Sequence, residues 1–287
     1  MYLRSIVAAI CVVAALAGSL TACASDTSGA GGETGSAADP TELGHVHGLG
    51  VDPGDDLLYV ASHLGVFRVE DGTAERVADR WQDTMGFAVV GPGHFLGSGH
   101  PDLREDLPSS LGLIESTDGA RTWKPVSMQG EADLHAIEAV GDRIYAYDSH
   151  TGALIVSTDR VQWDTISTQP LYDLAADPAD PATVYATTAQ GVLIASTDGA
   201  APTPVSGAPV LTAVDWQPDG PLVGVTPDGT VLTSPDATSG WEEAGALDGL
   251  AEALDASPGR WHAATDTGVY ESVDDGATWS PVLTTDG

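Results

Sequence analysis

Several histidines, an aspartate and a methionine between residues 45 and 150 of this 287-residue sequence stand at places where they could share a metal ion. Imidazole with carboxylate is a ligand set of zinc sites, and imidazole with thioether suits copper. We therefore predict a zinc or copper site with these candidate ligands: His45, His47, His63, Met85, His100, Asp133, His135 and His150. The alternative is that these histidines only hydrogen-bond neighbouring loops or line a polar channel.

Internal repeats explain how residues so far apart could meet. A glycine opens a short apolar run that ends in an acidic turn. The instances begin at Gly65, Gly112, Gly152, Gly191, Gly229 and Gly268, which are 47, 40, 39, 38 and 39 residues apart. A period near 40 residues with β-type alternation is typical of propeller blades. We predict an all-β fold, one six-bladed β-propeller over residues 44–287, with no helix and with last-blade strands at 252–256, 260–265, 268–272 and 278–283.

Alignment of the repeats places the candidate ligands on one face. The starts of the innermost strands carry His47, Met85, His135, Tyr172, Thr212 and Glu252, and two residues earlier stand His45, Asp83 and Asp133. Residues two apart in a strand lie on the same side. The loops from second to third strands add His63, His100 and His150. The sequence therefore predicts a histidine-rich mouth of the central channel.

Carboxylates near that mouth suggest a second hypothesis, hydrolysis of a glycoside by an acid pair. The candidate catalytic acids are Glu131, Asp133, Asp173 and Glu252. An insertion between Gly97 and Gly112 is long enough to fold over the mouth as a lid. Arg104 on this insertion is the only arginine that we can place near this face.

The acidic turns resemble the Asp-box, or BNR repeat, of sialidases, Ser-x-Asp-x-Gly-x-Thr-Trp. The last turn matches in full and the second has alanine in the glycine place; their residues are Ser116, Asp118, Trp123, Ser272, Asp274, Gly276 and Trp279. Partial matches follow Ser157, Ser196 and Ser234. The resemblance implies structural hairpins away from the active face, with Ser and Asp bonding the turn and the tryptophans buried. The sialidase arginine triad cannot be assembled, because the other arginines fall in strands or on the Asp-box side.

Several further motifs resemble a bacterial family of exported propeller lipoproteins. They are His-Val-His-Gly-Leu-Gly at 45–50, Met-Gly-Phe at 85–87, Ser-Gly-His-Pro at 98–101, Leu-Gly-Leu at 111–113 and Asp-Leu-His at 133–135. That BNR/Asp-box, sialidase-like family is usually labelled glycosyl hydrolase by fold similarity. Its motifs coincide with the channel mouth rather than with an acid pair, which favours a binding site.

The first 43 residues indicate export. Arg4 precedes an apolar run over 6–17 that is too short to span a bilayer, and Leu-Thr-Ala-Cys at 20–23 resembles a lipobox. We predict a lipoprotein signal peptide over 1–22, lipidation of Cys23, and a disordered tether over 23–43. An ordinary signal peptide with a chance cysteine is the alternative. The protein is expected on the outer face of the cell membrane.

Charge limits the partners. The formal net charge is −32 and no basic run occurs, so nucleic acid is not expected to bind. The predicted partners are the membrane, through the lipid anchor, and a small molecule, metal or protein ligand. A third hypothesis is a scaffold for assembling another exported or membrane protein, as in the photosystem assembly propellers that this chain resembles.

Overall fold

The computed structural model describes residues 43–188, 191–196 and 202–284. The predicted signal peptide, the lipidation site Cys23, almost all of the predicted tether, and Asp198 of the fourth acidic turn lie outside these residues. Within the described ranges, no helix has the length and hydropathy needed to cross a bilayer.

The described strands form six four-stranded antiparallel sheets, which we number in chain order. Sheets 1 and 2 contain β1 (Val46–Asp52), β2 (Leu57–Ser62), β3 (Gly65–Glu70), β4 (Thr73–Arg76), β5 (Asp83–Gly91), β6 (His94–His100), β7 (Leu113–Ser116) and β8 (Lys124–Ser127). Sheets 3 and 4 contain β9 (Leu134–Val140), β10 (Arg143–Asp148), β11 (Ala153–Ser157), β12 (Asp164–Ser167), β13 (Leu174–Ala176), β14 (Thr183–Thr188), β15 (Gly191–Ser196) and β16 (Thr203–Pro204). Sheets 5 and 6 contain β17 (Ala213–Trp216), β18 (Leu222–Val225), β19 (Thr230–Ser234), β20 (Glu242–Ala246), β21 (Ala251–Asp255), β22 (Trp261–Thr265), β23 (Gly268–Ser272) and β24 (Ser280–Thr284).

The first strands of successive sheets pack against one another, and β21 of the last sheet returns to β1. The core lies between neighbouring sheets. One apolar cluster, for example, joins Val60 and Phe67 of sheet 1 to Ala264 and Val269 of sheet 6. The all-β propeller architecture predicted from the repeats is therefore confirmed. The part of the chain that the structure describes has one short helical element, a 3-10 helix at Val77–Asp79.

Steric crowding explains why glycine opens the repeat at two positions. Gly112 has a φ of +61°, which L side chains rarely adopt, and a Cβ there would collide with the carbonyl oxygen of Ser127. Gly65 has a φ of +124°, and a Cβ there would lie 2.5 Å from the carbonyl oxygen of Arg80. Any side chain at either position would push the next outer segment away.

The acidic turns of sheets 2 and 6 share one hydrogen-bond pattern. In sheet 6, Ser272 Oγ accepts from Gly276 N at 2.9 Å, and Asp274 Oδ1 accepts from Thr278 N at 2.8 Å. In sheet 2, the corresponding bonds are Ala120 N to Ser116 Oγ at 2.9 Å and Thr122 N to Asp118 Oδ1 at 2.9 Å. These bonds satisfy backbone donors that the tight turn would otherwise leave unpaired.

The two turn tryptophans differ from expectation. Trp123 and Trp279 are half-buried rather than buried. Each ring covers the edge of a core cluster at the outer side of its sheet, and Trp123 lies against Gly97 of β6. The outermost strand has no further strand beyond it, so one side of each ring stays in solvent.

Candidate metal site at the channel mouth

The innermost strands enclose a central cavity of about 590 Å³. Its walls come from β1, β5, β9, β13, β17 and β21. The starts of these strands form one mouth, and there the rings of His45, His47 and His63 lie together. The His47 ring meets each of the other two edge-to-face, with centroids 4.7 Å from His45 and 4.5 Å from His63.

Three side chains of this mouth could hold a metal ion: His47, His63 and Asp83, each offering one ligand atom within 4.8 Å of the others. His63 Nδ1 lies 2.8 Å from Asp83 Oδ1 and 3.4 Å from His47 Nε2. His47 belongs to β1, His63 to the loop between β2 and β3, and Asp83 opens β5. The group therefore spans the junction of sheets 1 and 2.

Backbone bonds fix the loop that carries His63. The His63 N–H donates to the carbonyl of His45 at 3.2 Å, and Ser62 Oγ accepts from Leu64 N at 3.1 Å. The loop has only two residues between β2 and β3, and it is held at both ends. The His63 ring itself is 45% exposed, so it can turn toward a ligand.

His47 is neutral at neutral pH. Burial is the largest cause, and with the charges of His63 and His45 it lowers the pKa of His47 to about 3. A neutral imidazole has a lone pair to give to a metal, whereas the protonated ring has none.

Glu252 of sheet 6 contacts sheet 1 at the mouth, where the ring of sheets closes. Its Oε2 accepts from Val46 N at 2.9 Å, and its Oε1 lies 2.7 Å from His45 Nδ1. The carboxylate of sheet 6 thus holds the first strand of sheet 1 and orients the ring of His45 beside His47.

A second group lies at the junction of sheets 2 and 3. Asp133 Oδ2 lies 2.8 Å from His135 Nε2, accepts from Ser149 Oγ at 2.9 Å, and lies 3.9 Å from His100 Nε2. Burial alone would raise the pKa of Asp133, but the hydrogen bonds from His135 and Ser149 outweigh burial and lower it. Asp133 is therefore an anion at neutral pH.

The remaining predicted metal ligands stand apart from the group of His47, His63 and Asp83. His150 Nδ1 lies 3.2 Å from the carbonyl oxygen of Glu131, and Met85 is buried in β5. Asp83 was missing from the predicted ligand set. Its signal was present in the sequence, because it occupies the same repeat position as Asp133.

The candidate catalytic acids have other partners. Asp173 accepts from Leu174 N at 2.9 Å and from Val214 N at 3.0 Å, so both of its oxygens are occupied by backbone. Glu252 and Asp133 are engaged as described above, and Glu131 is exposed. None of these contacts pairs two of the four acids in the described part of the chain.

Beside Asp173, three further acids line the channel and were not singled out from the sequence: Glu138, Asp215 and Asp255. Burial raises the pKa of Asp173 to about 7 and, with the charge of Asp255, that of Asp215 to about 6. Burial and the charges of Asp215 and Asp173 raise the pKa of Glu138 well above its usual value. Glu138, Asp215 and Asp255 occupy one repeat position, three residues after the mouth position, which is the signal that could have found them.

The insertion of sheet 2 lies outside the cavity wall. Arg104 pairs with Asp102 at 2.6 Å and with Asp79 at 3.2 Å, and Leu103 is fully exposed. None of residues 101–112 is among the described residues that line the cavity. The insertion reaches the mouth through the carbonyl of Ser109, which lies 2.7 Å from His100 Nδ1.

No protein-family model matches the chain, and no curated protein matches its sequence. Solved structures share its fold. A gluconolactonase from Xanthomonas campestris superposes with a TM-score of 0.62 at 13% identity, over 78% of this chain and 84% of that one. The structure titled YCF48 bound to D1 peptide gives 0.51 at 16% identity, over 83% and 82%.

An ancestral GH74 enzyme gives a TM-score of 0.52 at 18% identity, over 87% of this chain and 40% of that one. This chain therefore spans less than half the length of that enzyme. At these identities the likenesses show a propeller fold of the kind found in glycoside hydrolases, and the fold alone.

Proposed function

We propose that this chain is an exported, lipid-anchored propeller of six blades that binds a transition-metal ion, zinc or copper, at its channel mouth. His47, His63 and Asp83 would hold the ion. The observation that carries the proposal is the approach of one ligand atom from each of these three side chains to within 4.8 Å of the others. These three residues lie in separate segments of the chain, so it is the fold that brings their side chains together.

The separations suit a small rearrangement on binding. Tetrahedral zinc with bonds of about 2.0 to 2.1 Å separates its ligand atoms by about 3.4 Å. The distance of 3.4 Å from His47 Nε2 to His63 Nδ1 already has this value. Three protein ligands would leave a fourth position for water or a small ligand. The net charge of −32 also favours accumulation of cations at the surface.

The contacts of the acids favour binding over glycoside hydrolysis. An acid-pair mechanism needs one carboxylic acid and one carboxylate facing the same bond. Asp173 and Glu252 instead accept backbone N–H groups of the next sheet. A hydrolase, like the GH74 neighbour, and a scaffold for another protein are the two alternatives.

The proposed location rests on the sequence. The apolar run before Cys23 and the low-complexity segment after it support export, lipidation and a tether that holds the domain at the outer membrane surface.

Metal analysis of the full-length, untagged protein in detergent tests the metal site. After removal of metal and dialysis against Zn²⁺ or Cu²⁺, we expect bound ion by mass spectrometry and a higher melting temperature. A ligand at 100 times its Kd adds about 2.7 kcal/mol to the free energy of unfolding.

The matched variants are His47→Ala/His63→Ala and the control His94→Ala. His94 lies on β6, 2.7 Å from Glu115. We expect the double variant to fold, to bind less metal and to lose the stability increment, while the control keeps both. Equal metal binding by the double variant and the control would refute the site.

A further inference from the structure

The mouth of the channel has two chemically different halves. Sheets 1 to 3 contribute the histidines and aspartates described above. In sheets 4 to 6, the repeat position that Asp83 and Asp133 occupy in sheets 2 and 3 carries Pro170, Val210 and Leu250. The second half of the mouth is therefore apolar where the first half is polar.

We propose that this second half is a docking surface for a polypeptide segment that combines apolar side chains with lysine or arginine. We call the surface the apolar rim, and it consists of Pro170, Tyr172, Val210 and Leu250. The inference goes beyond the proposed metal binding and does not depend on it.

Exposure gives the first argument. Tyr172 is 56% exposed, Val210 39% and Leu250 61%. The other large hydrophobic side chains that are exposed in the described residues belong to the insertion of sheet 2 or to the acidic turns at the other end of the sheets: Leu103, Leu107, Val161 and Val273. Single exposed apolar residues are ordinary, but the rim residues stand at corresponding places of three sheets that pack side by side through β13, β17 and β21. An apolar patch of this kind marks a site of contact with another protein.

The backbone of the rim is fixed before any partner binds. Tyr172 N donates to the carbonyl of Thr187 at 2.8 Å, and the neighbouring Leu171 is buried in a core cluster. Leu250 N donates to Asp266 Oδ1 at 2.7 Å. Because these segments are already ordered, little free energy would be lost in ordering them on association.

Charge indicates which partner fits the rim. Asp248 lies two residues before Leu250, Asp266 lies between β22 and β23, and Asp228 lies between β18 and β19; all three aspartates are exposed. The sequence has no lysine or arginine in the mouth-side segments of sheets 4 to 6, which are residues 168–173, 205–212, 226–229, 247–252 and 266–267. Apolar side chains among carboxylates complement a segment in which apolar side chains alternate with cations. A second copy of this chain or an anionic membrane surface would instead bring like charges together.

The test uses the full-length, untagged, metal-stripped protein in phosphatidylcholine nanodiscs, with empty nanodiscs as the background. The probe is a fluorescent peptide of alternating lysine and leucine, and anisotropy at physiological ionic strength measures its binding. The rim variant is Tyr172→Ser/Leu250→Ser. The matched control, Val161→Ser/Val273→Ser, removes two comparably exposed side chains from the acidic turns.

We expect the rim variant to raise the Kd of the peptide by about tenfold or more, which is about 1.4 kcal/mol or more, and the control to leave it unchanged. A lysine–serine peptide of the same charge should bind the wild type about tenfold more weakly than the lysine–leucine peptide does. Circular dichroism melting checks that both variants are folded. Because the protein is metal-stripped, these results do not depend on the proposed metal binding.

Three outcomes would overturn the docking surface. They are no binding of the lysine–leucine peptide by the wild type, equal binding by the rim variant and the control, and equal binding of the two peptides, which charge alone would explain. A solvatochromic dye on Leu250→Cys then identifies the occupant, with dye-treated wild type as the background. A blue shift on adding the peptide supports docking. A blue shift that is present in the nanodisc before the peptide is added, and that the peptide leaves unchanged, would mean that the bilayer covers the rim and would overturn the proposal.

Discussion

Replacing Asp173 with asparagine should stabilise the protein at alkaline pH. The pKa of Asp173 is raised by burial from 3.8 to about 7. The folded protein therefore holds this proton more tightly than the unfolded chain does. The group favours folding below pH 3.8, and this contribution is lost as the pH rises through 7. At about 1.36 kcal/mol per pKa unit, the full loss is about 4 kcal/mol, and about 2 to 3 kcal/mol of it falls between pH 5 and 8.

Asparagine stays neutral but keeps only one oxygen for the N–H groups of Leu174 and Val214, and one lost hydrogen bond costs about 1 kcal/mol. We expect Asp173→Asn to gain about 3 kcal/mol at pH 8, or about 6 to 12 °C in melting temperature, and less than about 1 kcal/mol at pH 5. Scanning fluorimetry at both pH values measures this. The control Asp142→Asn removes the same charge from an exposed position. Identical pH profiles for the two variants would show that Asp173 is ionised without penalty in the channel.

Three further predictions concern the anchor, an acidic turn and the ring closure. Cys23→Ser should move the protein from the membrane fraction to the soluble fraction, because the acyl chains on Cys23 would anchor it in the membrane. Unchanged fractionation would contradict lipidation. Trp279→Ala should lower the melting temperature by about 4 to 8 °C, corresponding to about 2 kcal/mol for a half-buried ring, and an unchanged value would mean that the ring does not pack on its sheet. Glu252→Ala should cost about 1 to 3 kcal/mol in denaturant unfolding by leaving Val46 N–H unpaired, and Glu252→Gln should cost less because its amide oxygen still accepts; equal losses would count against this bond.

The strands were predictable because the same unit recurs along the chain and because β-type alternation of side chains is visible within each unit. In sheet 6 the observed β22 and β24 begin one and two residues later than predicted, and turn bonds explain both shifts. Arg260 N donates to the carbonyl of Ser257, and Thr278 N donates to Asp274, so neither N–H is free for a ladder. Such side-chain and turn bonds compete with strand pairing in ways that periodicity does not report.

The position of the site was predictable from the sequence, but the set of residues that form it was less so. The repeats put the histidines at one mouth, but whether a given ring turns toward a neighbour depends on local bonds. His150 faces the carbonyl of Glu131, whereas His63 faces Asp83. The buried acids of the channel were missed because Asp215 and Asp255 read as strand ends of ordinary polarity. The raised pKa of Asp215 comes from its burial in the channel, which no single repeat contains.

The ring of sheets uses carboxylates near the channel in two ways. At three junctions a carboxylate accepts a backbone N–H of the following sheet: Asp173 from Val214, Asp215 from Ala256, and Glu252 from Val46. At the junctions of sheets 1 with 2 and 2 with 3, an aspartate near the channel faces a histidine of the preceding sheet, and Asp52 at the end of β1 also accepts from Gly93 N at 2.9 Å. The three hydrogen bonds from backbone N–H groups to carboxylates join sheets 4, 5, 6 and 1 to one another without any ion. Loss of metal should therefore leave the fold intact, since the residues proposed to bind the ion differ from the carboxylates that join the sheets. It should remove only the contribution of metal binding to the free energy of unfolding, RT ln(1 + [L]/Kd).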